Sequence, residues 1–263
     1  MPSMKKLPPK AQLPMHIEDI SRERLIPMLV RSSQRHGSGV TLCLPPGRLP
    51  TEGFRLPEDV LAALKSSETG AFLFWSLAQS HMVLPPFPVD SEAVHQGWRS
   101  GPLQSLLDRP RTVGVFLLRL GYFAVGVFEG KRLVISKTGS RFVKGRHKKG
   151  GSSSARFARR HDEQARALFD SSCQTLREKL EEYGKPLDHF LMGGNKLTLQ
   201  AFEKRCDYLH KLERVRLHRV IDIDQPSLDT LKKLPRLLYM SKLVTFVPDL
   251  KGQDRGARAP DPP

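Results

Sequence analysis

Three stretches rich in β-branched and aromatic residues, TVGVFLLRL (112–120), YFAVGVFEG (122–130) and RLVISKT (132–138), follow one another with gaps of only a few residues. Parallel pairing needs a crossover of about a dozen residues or more between strands, so these runs are confined to an antiparallel meander. The same window, 112–128, is the most apolar of the chain, yet Arg119 stands in its middle and glycine and tyrosine interrupt it. A membrane span needs about 20 apolar residues in succession, so the window reads as sheet and no membrane partner is expected.

Beyond a basic loop, ARFARRHDEQARALFDSSCQTLREKLEEY (155–183) repeats its apolar residues at three to four positions: Phe157, His161, Ala165, Leu168, Leu176, Leu180 and Tyr183. One apolar stripe of this kind predicts a single long helix. Gly184 and Pro186 end it, and DHFLMGG (188–194) reads as a buried strand. LTLQAFEKRCDYLHKL (197–212) is expected as one amphipathic helix, VRLHRVIDID (215–224) as strand, SLDTLKKLPRLLYMSK (227–242) as helix and LVTFVP (243–248) as the last strand. A meander followed by alternating helices and strands is a mixed α/β sheet.

A smaller α/β domain precedes it. GVTLCLPPG (39–47) is a strand closed by a Pro-Pro-Gly turn, and LPEDVLAALK (56–65) is a helix with Pro57 suited to the first helical position and Glu58 and Asp59 in the first turn. GAFLFWSLAQSHMVL (70–84) reads as a hairpin, and GPLQSLLDRPR (101–111) as a linker with a short helix over 103–107. The expected division is a tail at 1–14, an N-terminal domain at 15–108, a second domain at 109–250 and a tail at 251–263. Both ends are proline-rich, charged and without periodicity.

Cys43, Cys173 and Cys206 are odd in number, far apart and form no CxxC pair, so neither a disulfide framework nor a cysteine zinc site is expected. A reducing compartment follows from that reading. Pro8, Pro9 and Pro14 interrupt the place of a signal peptide's apolar run, and a cytoplasmic location is expected. Asp222 and Asp224 read as a strand-end pair rather than a metal site, and GSG at 37–39 lacks the lysine of a phosphate loop.

Charge singles out one segment. The chain carries a formal net charge of +16, and residues 130–161 hold 11 Lys/Arg with no Asp or Glu. Such an excess attracts polyanions at long range. The stretch HKKGGSSSARFARRH (147–161) places much of it where the long helix begins. A helix N-terminus is itself positive, so Arg156, Arg159 and Arg160 there each cost about 0.3–1 kcal/mol at low salt. Glu178, Glu181 and Glu182 oppose the dipole at the other end. A phosphate bound at the N-terminus reverses the first penalty through free N–H groups and guanidinium donors. Gly150 and Gly151 permit positive φ and close backbone approach, while Ser152, Ser153 and Ser154 serve as caps or as hydrogen-bonding groups toward a substrate. His147 reads as a phosphate or solvent contact and His161 as a packed residue.

The segment SKTGSRFVKGRHKKGGSSSARFARRHDEQ (136–164) resembles the catalytic-loop segment of the Vms-type release factors, its bacterial branch in particular. These are peptidyl-tRNA hydrolases related to the central domain of archaeal and eukaryotic class I release factors. Carrying the resemblance are the turn Gly139, Ser140 and Arg141, then Arg146, the pair Gly150 and Gly151, and the helix start from Arg156 to Arg160. It extends over 109–250 and implies an RNase H-like domain.

It also implies hydrolysis, on the large ribosomal subunit, of the ester that joins a nascent peptide to tRNA, by a monomer without metal or organic cofactor. The catalytic group would be Gly150, Gly151, Ser152, Ser153 and Ser154. Arg141, Lys144, Arg146, His147, Lys148, Lys149, Arg156, Arg159 and Arg160 would hold rRNA and tRNA phosphates. Family loops read GGQ, GSQ or GGWSQ, whereas this one reads GGSSSAR, with Ser153 or Ser154 at the glutamine's place and Gln164 about two helical turns downstream. A non-catalytic ribosome- or tRNA-binding factor and a nuclease of the tRNA 3′ end are the alternatives.

Overall fold

The computed structural model describes residues 15–35, 39–51, 53–142 and 154–248. In chain order the elements are β1 (His16–Ile20), α1 (Arg22–Arg35), β2 (Val40–Leu44), α2 (Glu58–Lys65), β3 (Ala71–Trp75), β4 (Ser80–Leu84), β5 (Ala93–Gln96) and α3 (Gly101–Asp108). They continue with β6 (Thr112–Arg119), β7 (Tyr122–Glu129), β8 (Arg132–Ser140), α4 (Ser154–Tyr183), β9 (His189–Gly194), α5 (Lys196–Glu203), a 3₁₀ helix (Asp207–Val215), β10 (Arg216–Ile221), α6 (Leu228–Leu238) and β11 (Ser241–Phe246). The chain divides into two compact units, 1–108 with 239–263, and 109–238.

The first unit is built on a six-stranded sheet in the order β1-β11-β4-β3-β2-β5, antiparallel throughout. The hairpin expected over 70–84 is present as β3 and β4. Its turn is closed by Ser80, whose hydroxyl accepts from the Ser76 N–H and donates to the Ser76 carbonyl, both at 2.9 Å. Leu42, Leu44, Leu73 and Met82 of the sheet share a buried cluster with Val60 and Leu64 of α2. Pro57 caps α2 from outside rather than occupying its first turn, its carbonyl accepting from Leu61 N at 2.9 Å.

Two features of this unit differ from expectation. The strand expected to close the second domain, β11, lies instead between β1 and β4, pairing Val244 with both Ile17 and Met82. Backbone groups of a central strand need partners on both sides, and β1 and β4 supply them. No element is expected over 16–35, yet β1 and α1 occupy it. Pro27 inside α1 obscures the helical signal, while Leu25 and Leu29, spaced by one turn, are both buried.

The second unit holds a five-stranded sheet in the order β10-β9-β6-β7-β8. As the short gaps require, β6, β7 and β8 form an antiparallel meander; β9 and β10 then add in parallel to β6. Alternation of side chains sends Phe116 and Leu118 of β6 and Phe123, Val125 and Val127 of β7 into one cluster with Leu168, Phe169 and Leu176 of α4, Phe202 of α5 and Leu209 of the 3₁₀ helix. The long helix thus covers one face. Toward α6, a Cβ added at Gly126 of β7 would come within 3.0 Å of Leu231, so the missing side chain is what admits this helix closely.

The amphipathic stretch 197–212 is not one helix. It breaks at 204–206 into α5 and the 3₁₀ helix, and there Cys206 forms a disulfide with Cys173 of α4, Cα to Cα 5.6 Å. This corrects the expectation that no cysteines pair, and with it the argument for a reducing compartment. Cys173 and Cys206 lie 33 residues apart in sequence, and only the packing of α4 against the break brings them together. The remaining cysteine, Cys43, is buried, and burial pushes its thiol pKa up to about 11.

Candidate nucleic-acid interface

The basic segment joins the end of β8 to the start of α4. Strand β8 is the sheet's edge, and its last residues are set by β7: Tyr122 is registered with Ser140, and the N–H of Arg141 donates to the Gly121 carbonyl at 2.9 Å. The Arg141 guanidinium then reaches across to α4, donating from Nη1 to the Ala167 carbonyl at 3.1 Å. Strand end and helix are therefore pinned to each other three turns from the helix start.

A second pair of ties lies one turn further along α4. Asp170 receives both Nε and Nη2 of Arg205, at 2.5 and 2.7 Å, and Cys173 is bonded to the adjacent Cys206. The hydrogen bonds from Arg205 hold the Asp170 carboxyl below the ordinary carboxylate range, and the positive charges of Arg205 and Arg141 act in the same sense. Bidentate pairing of this kind fixes orientation as well as distance.

At the start of α4 no acid stands in the first turn. Arg156, Arg159 and Arg160 are exposed, and of the three only Arg159 has a carboxylate partner among the described residues, Glu163 at 3.4 Å. At the other end each acid is accommodated: Gln174 donates to Glu178 at 2.9 Å, Arg177 lies 3.3 Å from Glu181, and Lys179 pairs with Glu182. The unfavourable dipole placement is offset locally at the C-terminal end far more than at the N-terminal one.

Of the residues expected to act, Arg156, Arg159 and Arg160 lie in the N-terminal turns of α4, of which Ser154 is the first residue, and Arg141 is bonded to Ala167 further along it. Gly150, Gly151, Ser152, Ser153, Lys144, Arg146, His147, Lys148 and Lys149 lie outside the described residues. His161 is buried, with Nδ1 3.3 Å from Asp162 Oδ1. Glu129, the one acid of the meander, accepts hydrogen bonds from Arg132, Tyr183 and Lys185, which lower its pKa.

The structure adds a feature the sequence reading passed over. Arg141, Phe142, Arg160, Glu163, Gln164 and Ala167 line a hollow of about 310 Å³ at the junction of strand and helix. Its one signal in the sequence was an aromatic residue, Phe142, standing among cations. Among the described residues no helix is long and apolar enough to cross a membrane, and no cluster of three or more His, Cys, Asp or Glu is placed to hold a metal ion.

Among curated proteins, the chain is 28% identical over 133 residues to peptide chain release factor subunit 1 of Archaeoglobus fulgidus, covering 50% of this chain and 32% of that one. It is 28% identical over 171 residues to the protein of the same name from Methanopyrus kandleri, covering 63% and 41%. The chain thus spans about a third to two-fifths of the length of these relatives. Solved structures with a loose likeness include the archaeal translation termination factor aRF1, at TM-score 0.35 and 18% identity over 84% of this chain and 73% of that one, and the Vms1 mitochondrial localization core, at 0.40 and 13% over 72% and 85%. Residues 111–243 match the family described as the Actinobacteria/chloroflexi VLRF1 release factor. That span takes in half the chain, the basic loop and every strand and helix of the second unit, and the chain belongs to this release factor family.

Proposed function

We propose that the protein is a ribosome-associated peptidyl-tRNA hydrolase that frees nascent chains from stalled large ribosomal subunits, acting as a monomer in the bacterial cytoplasm without metal or organic cofactor. The observation that carries this reading is the span of the family match: it takes in β8, the basic loop and α4, where Arg141 ties strand end to helix and Arg156, Arg159 and Arg160 are exposed. The archaeal relatives' name, peptide chain release factor subunit 1, supports it. So does the second unit's sheet: counting its strands in chain order, the sequence across the sheet is third, second, first, fourth, fifth, with the second antiparallel, which suits an RNase H-like domain.

The chemistry asked of the loop is modest. A water oxygen forms a bond to the ester carbonyl carbon, the bond from that carbon to the tRNA 3′ oxygen breaks, and the proton ends on the departing ribose oxygen. Backbone N–H groups at Gly150 and Gly151 would stabilise the developing oxyanion, and Ser153 or Ser154 would orient the water. Lys144, Arg146, His147, Lys148 and Lys149, with the arginines of α4, would neutralise rRNA and tRNA phosphates.

Purified large subunits carrying labelled peptidyl-tRNA test the reading, with intact ester, free peptide plus whole tRNA, and shortened tRNA resolved. Free peptide with whole tRNA is expected, with loss of release on deletion of residues 147–154 and in the double variant Ser153→Ala/Ser154→Ala. Shortened tRNA would make the protein a nuclease. Intact ester despite subunit binding would make it a non-catalytic occupant of the site.

A further inference from the structure

We infer that the hollow between the end of β8 and the first turns of α4 is a seat for one unpaired RNA base, stacked on Phe142 with its phosphates held by Arg141 and Arg160. The inference rests on the ribosomal reading above, since it names what the same face grips. Phe142 is 75% exposed. A phenylalanine ring left in water forgoes the gain of burial, and this ring shares the hollow with two guanidinium groups that can take phosphate oxygens bidentately.

The lining distinguishes a base from a bare anion. Glu163 and Gln164 share the hollow with the two arginines. A carboxylate at its wall disfavours a phosphate inside, whereas it accepts from the exocyclic amine of a neutral base, and an amide both donates and accepts. An aromatic face, an amide, a carboxylate and two cations are the groups that hold unstacked bases in single-stranded RNA. The surrounding 130–161 segment, without a single acid, favours RNA over an acidic or mixed protein surface as the donor of that ligand.

The seat is also prearranged. Arg141 is fixed by its hydrogen bonds to Gly121 and Ala167, so one of the two guanidinium groups lining the hollow is set before any ligand arrives. Ordering is already done, and binding loses less entropy.

The test uses the full chain and two short single-stranded oligoribonucleotides of equal length, one with bases and one abasic. The base-bearing strand is expected to bind about 5- to 100-fold tighter, a ratio that Phe142→Ala abolishes while leaving abasic affinity and thermal midpoint unchanged. In Phe142→Trp the new fluorophore should be quenched by the base-bearing strand only; Trp75 and Trp98 are buried and contribute a constant background. Equal affinity for the two strands, or a ratio that survives in Phe142→Ala, overturns the inference. A photo-reactive phenylalanine analogue at 142 on large subunits carrying peptidyl-tRNA then distinguishes the source of the base: a crosslink to tRNA or to rRNA names it, and crosslinks to ribosomal protein alone overturn the seat. Neither oligonucleotide assay depends on ester cleavage, so an inactive protein that retains the base preference refutes the hydrolase and leaves the seat standing.

Discussion

Arg141 and Ala167, 26 residues apart, are joined by a hydrogen bond of 3.1 Å from guanidinium to main-chain carbonyl, which ties the strand end before the basic loop to α4 three turns beyond it. The strand and the helix that flank the loop are therefore joined to each other. Arg141→Ala is expected to lower stability by about 1 kcal/mol or less, since the bond lies at the surface. Under the phosphate-binding reading it also weakens RNA affinity uniformly across sequences and reduces the slope of log affinity against log salt by about 0.7–0.9. An unchanged slope would remove Arg141 from the interface.

The disulfide closes a 33-residue separation and ties α4 to the break between α5 and the 3₁₀ helix. Reduction, or Cys206→Ser, should cost about 2–4 kcal/mol through the freed unfolded chain. Thermal melting with and without a dithiol reductant measures it, and coincident melts would show that the pair contributes nothing. Cys43, with its thiol pKa near 11, should hold only about a thousandth of its population as thiolate at pH 8, so alkylation of the folded oxidised protein is expected to be slow.

Asp170 supplies a pH signature. Its folded pKa lies below its ordinary 3.8 because Arg205 donates to it, so the pair's contribution is complete above that value and is lost as pH falls through the folded pKa. With the Asp170 side chain 54% exposed, the contribution is under about 1 kcal/mol. Asp170→Asn should be slightly less stable than the parent at pH 6, with the difference shrinking below pH 4; a constant difference across that window would assign the loss to something other than the charge pair.

Two glycines separate strain from crowding. Gly194, at the end of β9, has φ +127, and a Cβ there would stand 2.0 Å from the Leu118 carbonyl oxygen; Gly47 has φ +78 but faces open space. Gly194→Ala is expected to lose at least about 2 kcal/mol or to fail to fold, Gly47→Ala only about 1–2 kcal/mol from backbone strain alone. Equal losses in denaturant melts would mean that the β9 end relaxes around the new methyl.

Local chemistry wrote much of this protein into its sequence. The runs of β-branched and aromatic residues in β6 and β7, the gaps too short for crossovers and the stripe from Ala165 to Leu180 sufficed for the meander and for α4, because each depends only on neighbours along the chain. The basic loop was equally legible, since charge and glycine are properties of composition. What needed the tertiary structure were meetings between distant residues. Val244 between Ile17 and Met82, Cys173 on Cys206, and Phe142 beside Arg160 and Gln164 carry no local period. The first arises because a central strand needs hydrogen-bond partners on both edges, the second because α4 packs over the break after α5, and the third because Arg141 pins a strand end against a helix three turns from that helix's start.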